Sequence, residues 1–271
     1  MSLFARLLDD AAVFPPGDLP LDRAVPEHLA HRRAEHGALV GPLVVGAGAL
    51  GDLAPVVAAL PPGSLAVAVT TPVSALAEAL AAADALTAVR VVAVEVTLSE
   101  DMTADEAIGL AGQASDVRVF VELPRDERRE PLLAGLARAG LFAKLRTGGL
   151  TADAFPREEE LASAVVAAVR AGVPFKATAG LHHAVRNTDP GTGFEQHGFL
   201  NLLAGTAAAR AGEQARDVAQ LLAERDPERV VAGVREVDGS VREWFRSFGT
   251  CSIAEPVAEL AALGLLPKVP A

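Results

Sequence analysis

The sequence predicts an α/β fold, a (β/α)8 barrel of the TIM type with a helical N-terminal extension. From residue 39 onward, apolar runs typical of strands alternate with alanine-rich helical stretches. The strand-like runs lack strict polar alternation, as expected of parallel strands that are covered on both faces. Strand–helix units at this spacing predict a parallel sheet, and the 271-residue length suits one barrel domain over residues 1–271.

The elements are predicted in the following order. Residues 1–36 form the extension, with a short helix at Ser2–Asp10, a turn at Phe14–Asp18 and a helix at Leu21–His36 whose histidines read as a solvated face. Residues 37–271 form the barrel, with strands at Leu39–Ala47, Leu65–Thr70, Val89–Leu98, Val117–Leu123, Leu141–Arg146, Val173–Thr178, Arg229–Val237 and Trp244–Phe248. Its helices are Leu50–Leu60, Val73–Leu86, Thr103–Ala114, Asp126–Ala139, Pro156–Ala171, His197–Ala211 and Glu213–Arg225.

An open doubly wound sheet is the rival fold. Its dinucleotide-binding form carries a glycine fingerprint in the first strand–helix turn. The segment Gly46-Ala-Gly-Ala-Leu-Gly51 approaches that fingerprint, but its last glycine comes one place early. The barrel is therefore the favoured prediction.

Composition limits the partners and the compartment. A net charge of −11 argues against nucleic acid, which needs a basic face. No apolar run approaches the ~18 residues of a membrane span, and no signal pattern opens the chain. A single cysteine excludes an internal disulfide framework. We expect a cytoplasmic protein without a membrane partner, whose alanine-rich helices are compatible with a homo-oligomer.

Lysine is used sparingly in this chain. Only three lysines stand against 21 arginines, and two of them, Lys144 and Lys176, lie inside predicted strands; Lys268 lies in the C-terminal tail. A lysine kept where arginine is the usual cation suggests amine chemistry, because a desolvated lysine can lose its proton and arginine cannot. A structural pairing with a glutamate is the alternative.

Polar residues collect at the carboxyl ends of the predicted strands, where TIM barrels place their sites. Period-two geometry puts Lys144 with Arg146, and Lys176 with Thr178, on common faces. Glu95 and Glu122 end the two preceding strands. We expect these lysines, the arginine and the glutamates to converge, with Gly148 and Gly149 forming an anion-binding turn.

The loop after Lys176 supplies further candidates. His182 and His183 are candidate acids or bases, and Arg186, His197 and Asn201 are candidate substrate contacts. Three histidines within 16 residues also leave a zinc site open. Asp9 and Asp10 lie beside a rigid Phe-Pro-Pro turn, and the sequence leaves open whether they reach the site.

The segment Ser247–Pro256 leads from a predicted strand into a helix. Ser247, Thr250, Cys251 and Ser252 are candidate substrate contacts, since barrels often bind phosphate near their last strands. Cys251 has no histidine near it in sequence, which favours a small buried side chain over a nucleophile.

Two resemblances bear on function. Lys176-Ala-Thr-Ala-Gly180 resembles the Lys-Thr-Ser-Thr-Gly segment of deoxyribose-phosphate aldolases, whose strand-six lysine forms a Schiff base, and Lys144–Gly149 is similar to the segment bearing their second lysine. The order of the two segments is reversed here, the second has an extra residue, and the family's strand aspartate has no clear counterpart. The segments 9–16, 144–149, 175–183, 197–201 and 247–256 also resemble a group of uncharacterised bacterial (β/α)-barrel proteins, which implies no activity.

The favoured function is lyase or aldolase chemistry on a small anionic carbonyl metabolite. Lys176 would form the Schiff base, and repulsion from Lys144 would lower its pKa. Arg146 would bind the anionic group, and Glu122 or His182 would move protons. No cofactor is required by this reading. Three alternatives stay open: a phosphoribosyl-transfer or other phosphate-handling barrel with Mg²⁺ on Glu95 or Glu122, a zinc-dependent hydrolase or lyase, and a ligand-binding barrel without catalysis.

Overall fold

The predicted barrel is confirmed by a computed structural model, which describes residues 3–114 and 116–266. Within these ranges eight parallel strands close into a barrel, surrounded by helices. The barrel strands are β1 Leu8–Asp10, β2 Val40–Gly46, β3 Leu65–Pro72, β4 Val89–Thr97, β5 Arg118–Glu122, β6 Phe142–Arg146, β7 Phe175–Thr178 and β10 Phe245–Thr250. A short antiparallel hairpin, β8 Asn187–Thr188 and β9 Glu195–Gln196, lies in the loop after β7.

The helices follow the strands as the alternation predicted. They are α1 Leu21–Arg33, α2 Leu50–Val57, α3 Leu76–Asp84, α4 Ala104–Ala111, α5 Arg129–Ala139, α6 Glu158–Arg170, α7 Phe199–Arg210, α8 Ala215–Ala223, α9 Pro227–Arg235 and α10 Ala254–Ala262. In the part of the chain that the structure describes, no helix combines the length and the hydropathy needed to cross a bilayer.

The first barrel strand comes from the segment predicted as an extension. β1 pairs in parallel with β10 on one side and β2 on the other, with Leu8 opposite both Phe248 and Val40. The helix predicted over Ser2–Asp10 is wrong for the described residues, although the spacing of Leu3, Phe4, Leu7 and Leu8 suits one. Strand pairing on two sides outweighs that local preference. Lys268 and Ser2 lie outside the described residues.

The strand predicted at Arg229–Val237 is also wrong, because this run forms α9. Val230, Val231 and Val234 are buried at a helical spacing, and Pro227 suits the first helical position. The Asp226 carboxylate accepts the Glu228 N–H at 2.9 Å and caps the helix. The strand predicted at Trp244–Phe248 is present and extends to Thr250.

Apolar side chains pack in two layers. The larger core lies between the strands and the helices and includes Leu7, Leu43 and Leu136, all fully buried. A small cluster of Val44, Ala68, Ala93 and Phe120 forms a separate group, against which Phe14 and Phe142 pack. Two of the charged residues described next share strands with this small cluster, Glu95 with Ala93 and Glu122 with Phe120.

Candidate active site

Lys176 lies at the centre of a buried charged cluster inside the barrel. Its Nζ donates to Asp9 Oδ2 at 2.5 Å and to Glu95 Oε1. The lysine side chain is 1% exposed, and the two carboxylate side chains are at most 5% exposed. The ammonium also lies 5.6 Å from the centroid of the Phe120 ring, a cation–π distance. Lys176 is therefore held as a cation by two carboxylates.

Lys144 belongs to the same cluster but is held less tightly. Its Nζ lies 2.9 Å from Glu122 Oε2 and 3.9 Å from Glu95 Oε2. The strand register sets Lys144 beside Lys176 and Glu122 beside Lys144. Glu122 is the most exposed of the three carboxylates, at 21% of its side chain. The prediction that these strand-end lysines and glutamates converge is thus met for Lys144, Lys176, Glu95 and Glu122.

The charges of the cluster nearly balance. Asp9, Glu95 and Glu122 formally carry three negative charges against two on the lysines, which leaves one negative charge. Burial acts to lower the pKa of Lys176, but the charges of Asp9 and Glu95 and their hydrogen bonds outweigh it, so the pKa is raised. Burial acts to raise the pKa of Glu95, and the two lysines outweigh it, so that pKa is lowered.

The raised pKa of Lys176 corrects the sequence prediction, in which repulsion from Lys144 lowers that pKa. The repulsion is present in principle, but Asp9 was not among the partners that the strand patterns identified. A carboxylate at 2.5 Å acts more strongly than a like charge on the neighbouring strand.

Asp9 reaches the cluster because β1 is a barrel strand. Ser247 on β10 donates its hydroxyl to Asp9 Oδ2 at 2.6 Å, which holds the carboxylate towards Lys176. A Cβ atom at Gly41 on β2 would lie 2.1 Å from Asp9 Oδ1. Glycine at position 41 therefore provides the space that the Asp9 carboxylate occupies. Ser247, predicted as a substrate contact, orients Asp9 in this structure.

Asp10 points to a different partner. Its Oδ2 lies 3.0 Å from His28 Nδ1, and the His28 side chain is 2% exposed. The prediction that the histidines of α1 form a solvated face is therefore wrong for His28. This contact ties α1 to β1, and Asp10 does not join the lysine cluster.

Arg146 is the cation at the rim. It follows Lys144 by two residues on β6 and is exposed. It lines a cavity of about 250 Å³ together with Glu122, between the loops that follow β4 and β5 and the first half of α6; the two lysines are not part of its wall. The other three arginines of the cavity wall, Arg125, Arg128 and Arg129, are engaged by carboxylates and backbone carbonyls. Arg146 has no recorded hydrogen bond or ion pair among the described residues.

The glycines after β6 serve close packing. A Cβ atom at Gly148 would lie 2.8 Å from Gly180 Cα and 2.7 Å from Phe155 Cε1, so the loops after β6 and β7 touch backbone to backbone. Gly149 is similarly tight against Ala154. These contacts account for both glycines without a bound anion. Thr178, at the end of β7, is half-buried beside this junction.

The chain turns sharply after Thr178. Ala179 has φ of 66° and Gly180 φ of 69°, so an alanine adopts the left-handed conformation next to a glycine. Thr147 stabilises this turn, since its hydroxyl donates to Ala179 O at 2.6 Å and its N–H donates to Thr178 O at 2.9 Å. The turn separates β7 from the histidine loop.

The structure brings His182 to Cys251, which no sequence spacing indicated. Cys251 Sγ lies 3.4 Å from His182 Nδ1, and Glu255 Oε2 lies 3.9 Å from the same nitrogen. Burial and the charge of Glu255 raise the pKa of Cys251 to about 11. Burial lowers the pKa of His182. At neutral pH the pair is therefore a thiol beside a neutral imidazole, without a thiolate.

His183 has a separate contact. Its Nδ1 lies 2.6 Å from Glu259 Oε1, and the other oxygen of Glu259 accepts the Ala184 N–H at 2.5 Å. These bonds attach the loop after β7 to α10. His183 thus supports loop packing in this structure, whereas the sequence predicted a catalytic role.

Arg186, His197 and Asn201 form a third, structural group. His197 Nε2 donates to Pro156 O at 2.7 Å, and Arg186 pairs with Glu158 and Glu195. Asn201 Oδ1 accepts the Arg186 N–H at 2.9 Å, and its amide donates to Leu221 O and Glu224 O at the end of α8. All three side chains are buried. Their predicted substrate contacts are not supported by these internal contacts.

The three loop histidines therefore lie in three different environments. Among residues 3–114 and 116–266, no group of three or more His, Cys, Asp or Glu side chains is arranged to hold a metal ion. The predicted zinc set of His182, His183 and His197 does not assemble. Both glutamates proposed for Mg²⁺, Glu95 and Glu122, are paired with lysines.

Thr250 and Ser252 shape the start of α10. The Thr250 hydroxyl donates to Ser252 O at 3.0 Å, and the Ser252 hydroxyl accepts the Glu255 N–H at 3.3 Å. Both predicted substrate contacts thus hold the turn after β10.

A comparison with models of known protein families gives no match, and no curated protein sequence matches the chain.

Proposed function

We propose that this protein is an enzyme that acts on a small anionic carbonyl compound through a lysine Schiff base, with lyase or aldolase chemistry. The observation that carries the proposal is the pair of adjacent lysines inside a TIM-type barrel, bridged by Glu95 and flanked by Asp9 and Glu122. Two adjacent lysines are costly to desolvate even when they are paired with carboxylates, and buried charged clusters of this kind are concentrated at functional sites.

Lys144 is the better candidate for the nucleophilic amine. The raised pKa of Lys176 keeps it charged, and its two carboxylates enclose it. Lys144 has one close partner, Glu122, which lines the cavity beside Arg146. This exchanges the roles assigned from the sequence. With β1 counted, Lys144 lies on the sixth strand, the strand that bears the Schiff-base lysine in the resembling aldolases.

The proton transfers follow from this assignment. The Lys144 ammonium gives one proton to Glu122, and the neutral amine attacks the carbonyl carbon to form a carbinolamine. Glu122 returns the proton to the hydroxyl, which leaves as water and yields a protonated imine. Glu122, again a carboxylate, takes the proton of the substrate's β-hydroxyl as the bond between the α and β carbons breaks, which releases an aldehyde and leaves the electron pair in an enamine. Glu122 then protonates the enamine carbon, which restores the imine. Water then hydrolyses the imine and frees Lys144.

Lys176 serves as the fixed cation in this scheme. Asp9 and Glu95 raise its pKa and keep it protonated. Arg146 binds the carboxylate or phosphate of the substrate, because an exposed guanidinium can form two parallel hydrogen bonds with such a group.

Trapping with borohydride tests the proposal directly. Purified protein is incubated with a panel of small aldehydes, keto acids and phosphorylated ketones, and the imine is reduced to a stable amine. Mass spectrometry of peptides then distinguishes Lys144, Lys176 and Lys268, the three lysines of the chain. We expect the adduct on Lys144, with a carbonyl compound that bears an anionic group.

Substitutions separate the roles of the two lysines. Lys144→Arg keeps the charge and abolishes trapping, because a guanidinium does not form the imine. Arg146→Gln keeps trapping of uncharged aldehydes and weakens that of anionic ones by about tenfold, the loss expected for one charge-assisted contact. An adduct on Lys176 would restore the original assignment, and labelling of Lys268 alone would overturn the Schiff-base proposal.

A non-covalent phosphate-handling barrel is the second candidate, favoured by the permanent charge of Lys176. In that case Lys144 and Arg146 hold a phosphate without covalent chemistry. Lys144→Arg would then keep binding of a phosphorylated ligand, measured by calorimetry, while trapping gives no adduct with any carbonyl compound. Binding without turnover of any ligand would indicate a barrel that binds ligands without catalysis.

A further inference from the structure

The amino ends of the barrel strands carry a group of arginines, at the face opposite the lysine cluster. Five arginines belong to the first residues of strands or to the segments that lead into them, and one lies in the last turn of α1: Arg6, Arg90, Arg118, Arg242, Arg246 and Arg32. Four of them are exposed, Arg246 is half-buried and Arg242 is buried. We call this set the basic face.

Two of these arginines lie at the opening of the barrel. Arg118 is on the same side of β5 as Phe120 and Glu122, since side chains alternate along a strand. The Arg246 guanidinium lies 5.9 Å from the centroid of the Phe142 ring, and Phe142 in turn contacts Phe120 at 5.0 Å between centroids. The opening therefore presents guanidinium groups above an aromatic floor.

Arg242 provides an independent observation. The residue is 3% exposed, and its NH2 group donates to Ala5 O at 3.2 Å and to Arg246 O. Its Nε and NH1 atoms are buried without a hydrogen-bond partner among the described residues. A buried guanidinium with two unpartnered donors is costly in a folded protein. Burial lowers the pKa of Arg242 to about 10, although the negative charge of Asp9 acts to raise it.

The charges of the basic face repel one another. Arg6 and Arg90 act on Arg32, Arg118 acts on Arg246, and Arg246 acts on Arg242. Glu243 opposes the charge of Arg246, but no ion pair joins any arginine of the basic face to a carboxylate within residues 3–114 and 116–266. Six like charges without paired carboxylates favour an anion from outside the chain.

We propose that the basic face binds a compact anion that carries two or more phosphate groups. Guanidinium groups from different strands would each bind phosphate oxygens, in the two-pronged geometry that arginine favours. We expect a compact anion because the protein as a whole carries a net charge of −11, which disfavours the approach of a long polyanion. This site is at the opposite end of the barrel from the lysines and does not depend on the proposed reaction.

Calorimetric titration with inorganic tripolyphosphate at low ionic strength tests the inference. We expect saturable binding of one anion to the wild-type protein. Arg118→Gln and Arg246→Gln should each weaken the binding by about tenfold, because each removes a charged contact. Both side chains are at least partly exposed, so these substitutions leave the buried core unchanged.

Two matched variants locate the anion. Arg229→Gln removes an arginine whose side chain is 74% exposed on α9 and should leave the affinity unchanged. Arg146→Gln removes the arginine at the lysine end and reports on any binding of tripolyphosphate there. Loss of binding in Arg146→Gln with retention in Arg118→Gln and Arg246→Gln would place the anion at the lysine end and overturn the inference. Absence of binding to the wild-type protein, or equal loss in Arg229→Gln, would overturn it as well.

Discussion

At the scale of single residues, the cluster around Lys176 sets how stability depends on pH. Three carboxylates and two ammonium groups are stable inside a barrel only as a set, because each desolvated charge needs its partner. The pKa of Glu95 is lowered in the folded protein, so its ionised carboxylate contributes to the free energy of unfolding. This contribution is complete above about pH 4.3, the pKa of glutamate in an unfolded chain, and it is lost as the pH falls. The pKa of Lys176 is raised, so its contribution to the free energy of unfolding is complete below about pH 10.4, the pKa of lysine in an unfolded chain, and is lost at higher pH.

Lys176→Met should reverse the way in which Glu95 makes stability depend on pH in the acidic range. Without the ammonium, burial dominates the pKa of Glu95 and raises it above the unfolded value, so its contribution becomes one that is lost as the pH rises. We expect the variant to lose about 3–5 kcal/mol at pH 7, and less at pH 4.5. Urea unfolding at both pH values measures the difference. Leu136→Ala, a fully buried apolar truncation, should instead cost about the same at both; an equal pH response in the two variants would contradict the assignment.

Glycine 41 offers a second residue-scale prediction, with a control on the same strand. Gly41→Ala places a methyl group 2.1 Å from Asp9 Oδ1, so the carboxylate must move away from Lys176. We expect the free energy of unfolding to fall by about 1–3 kcal/mol, which is typical of overpacking. At Gly46 the nearest atom to a new Cβ is Thr70 Oγ1 at 3.8 Å, and Gly46→Ala should be tolerated. Thermal unfolding of the two variants compares them, and equal melting temperatures would contradict the role of Gly41.

At the scale of elements, the loop after β7 is attached to the helices by polar side chains. Asn201→Leu should leave the Arg186 N–H and the Leu221 and Glu224 carbonyls without partners. We expect a loss of about 2–4 kcal/mol in the free energy of unfolding, since the Arg186 N–H is buried. Gln214→Leu, at an exposed position before α8, should cost much less.

The same pair of variants tests the substrate-binding role predicted for Asn201. If Asn201 only holds α8, borohydride trapping at 10 °C should be equal in Asn201→Leu and in Gln214→Leu once the folded fraction is matched. A selective loss of trapping in Asn201→Leu would return Asn201 to the substrate site.

The two elements that the sequence misplaced have a common cause. Leu3–Leu8 and Arg229–Val237 are short apolar runs whose spacing suits more than one period. β1 has only three residues, and its identity depends on pairing with β2 and β10, which are distant in sequence. The long alternation of residues 39–178 required no such information, so those strands and helices were predictable.

The site divides in the same way. Lys144, Glu122 and Lys176 were predictable because each lies near the carboxyl end of an apolar run that forms a strand close to its predicted bounds. Their partnership with Asp9 was not, because it requires the register of β1 against β10, more than 200 residues away. The contact between His182 and Cys251 joins the loops after β7 and β10, which are paired strands separated in sequence by three helices.

At the scale of the whole molecule, the N-terminal segment decides whether the barrel closes. If residues 1–36 were only an extension, the chain 37–271 would fold by itself. In the structure its removal would delete β1 and leave β2 and β10 with unpaired backbone edges at the same gap. It would also remove Asp9 from Lys176, so that a buried ammonium keeps only Glu95.

We therefore expect the fragment 37–271 to lack a cooperative thermal transition and to aggregate, since open edges pair between chains. Circular dichroism on heating and size-exclusion chromatography measure both properties. The double substitution Asp9→Asn with Lys176→Met, made in the full-length chain, is the matched control, because it removes the ion pair while keeping β1. This control should retain a cooperative transition if strand pairing is the larger contribution. A fragment 37–271 as stable as the full-length protein would show that the barrel closes without β1.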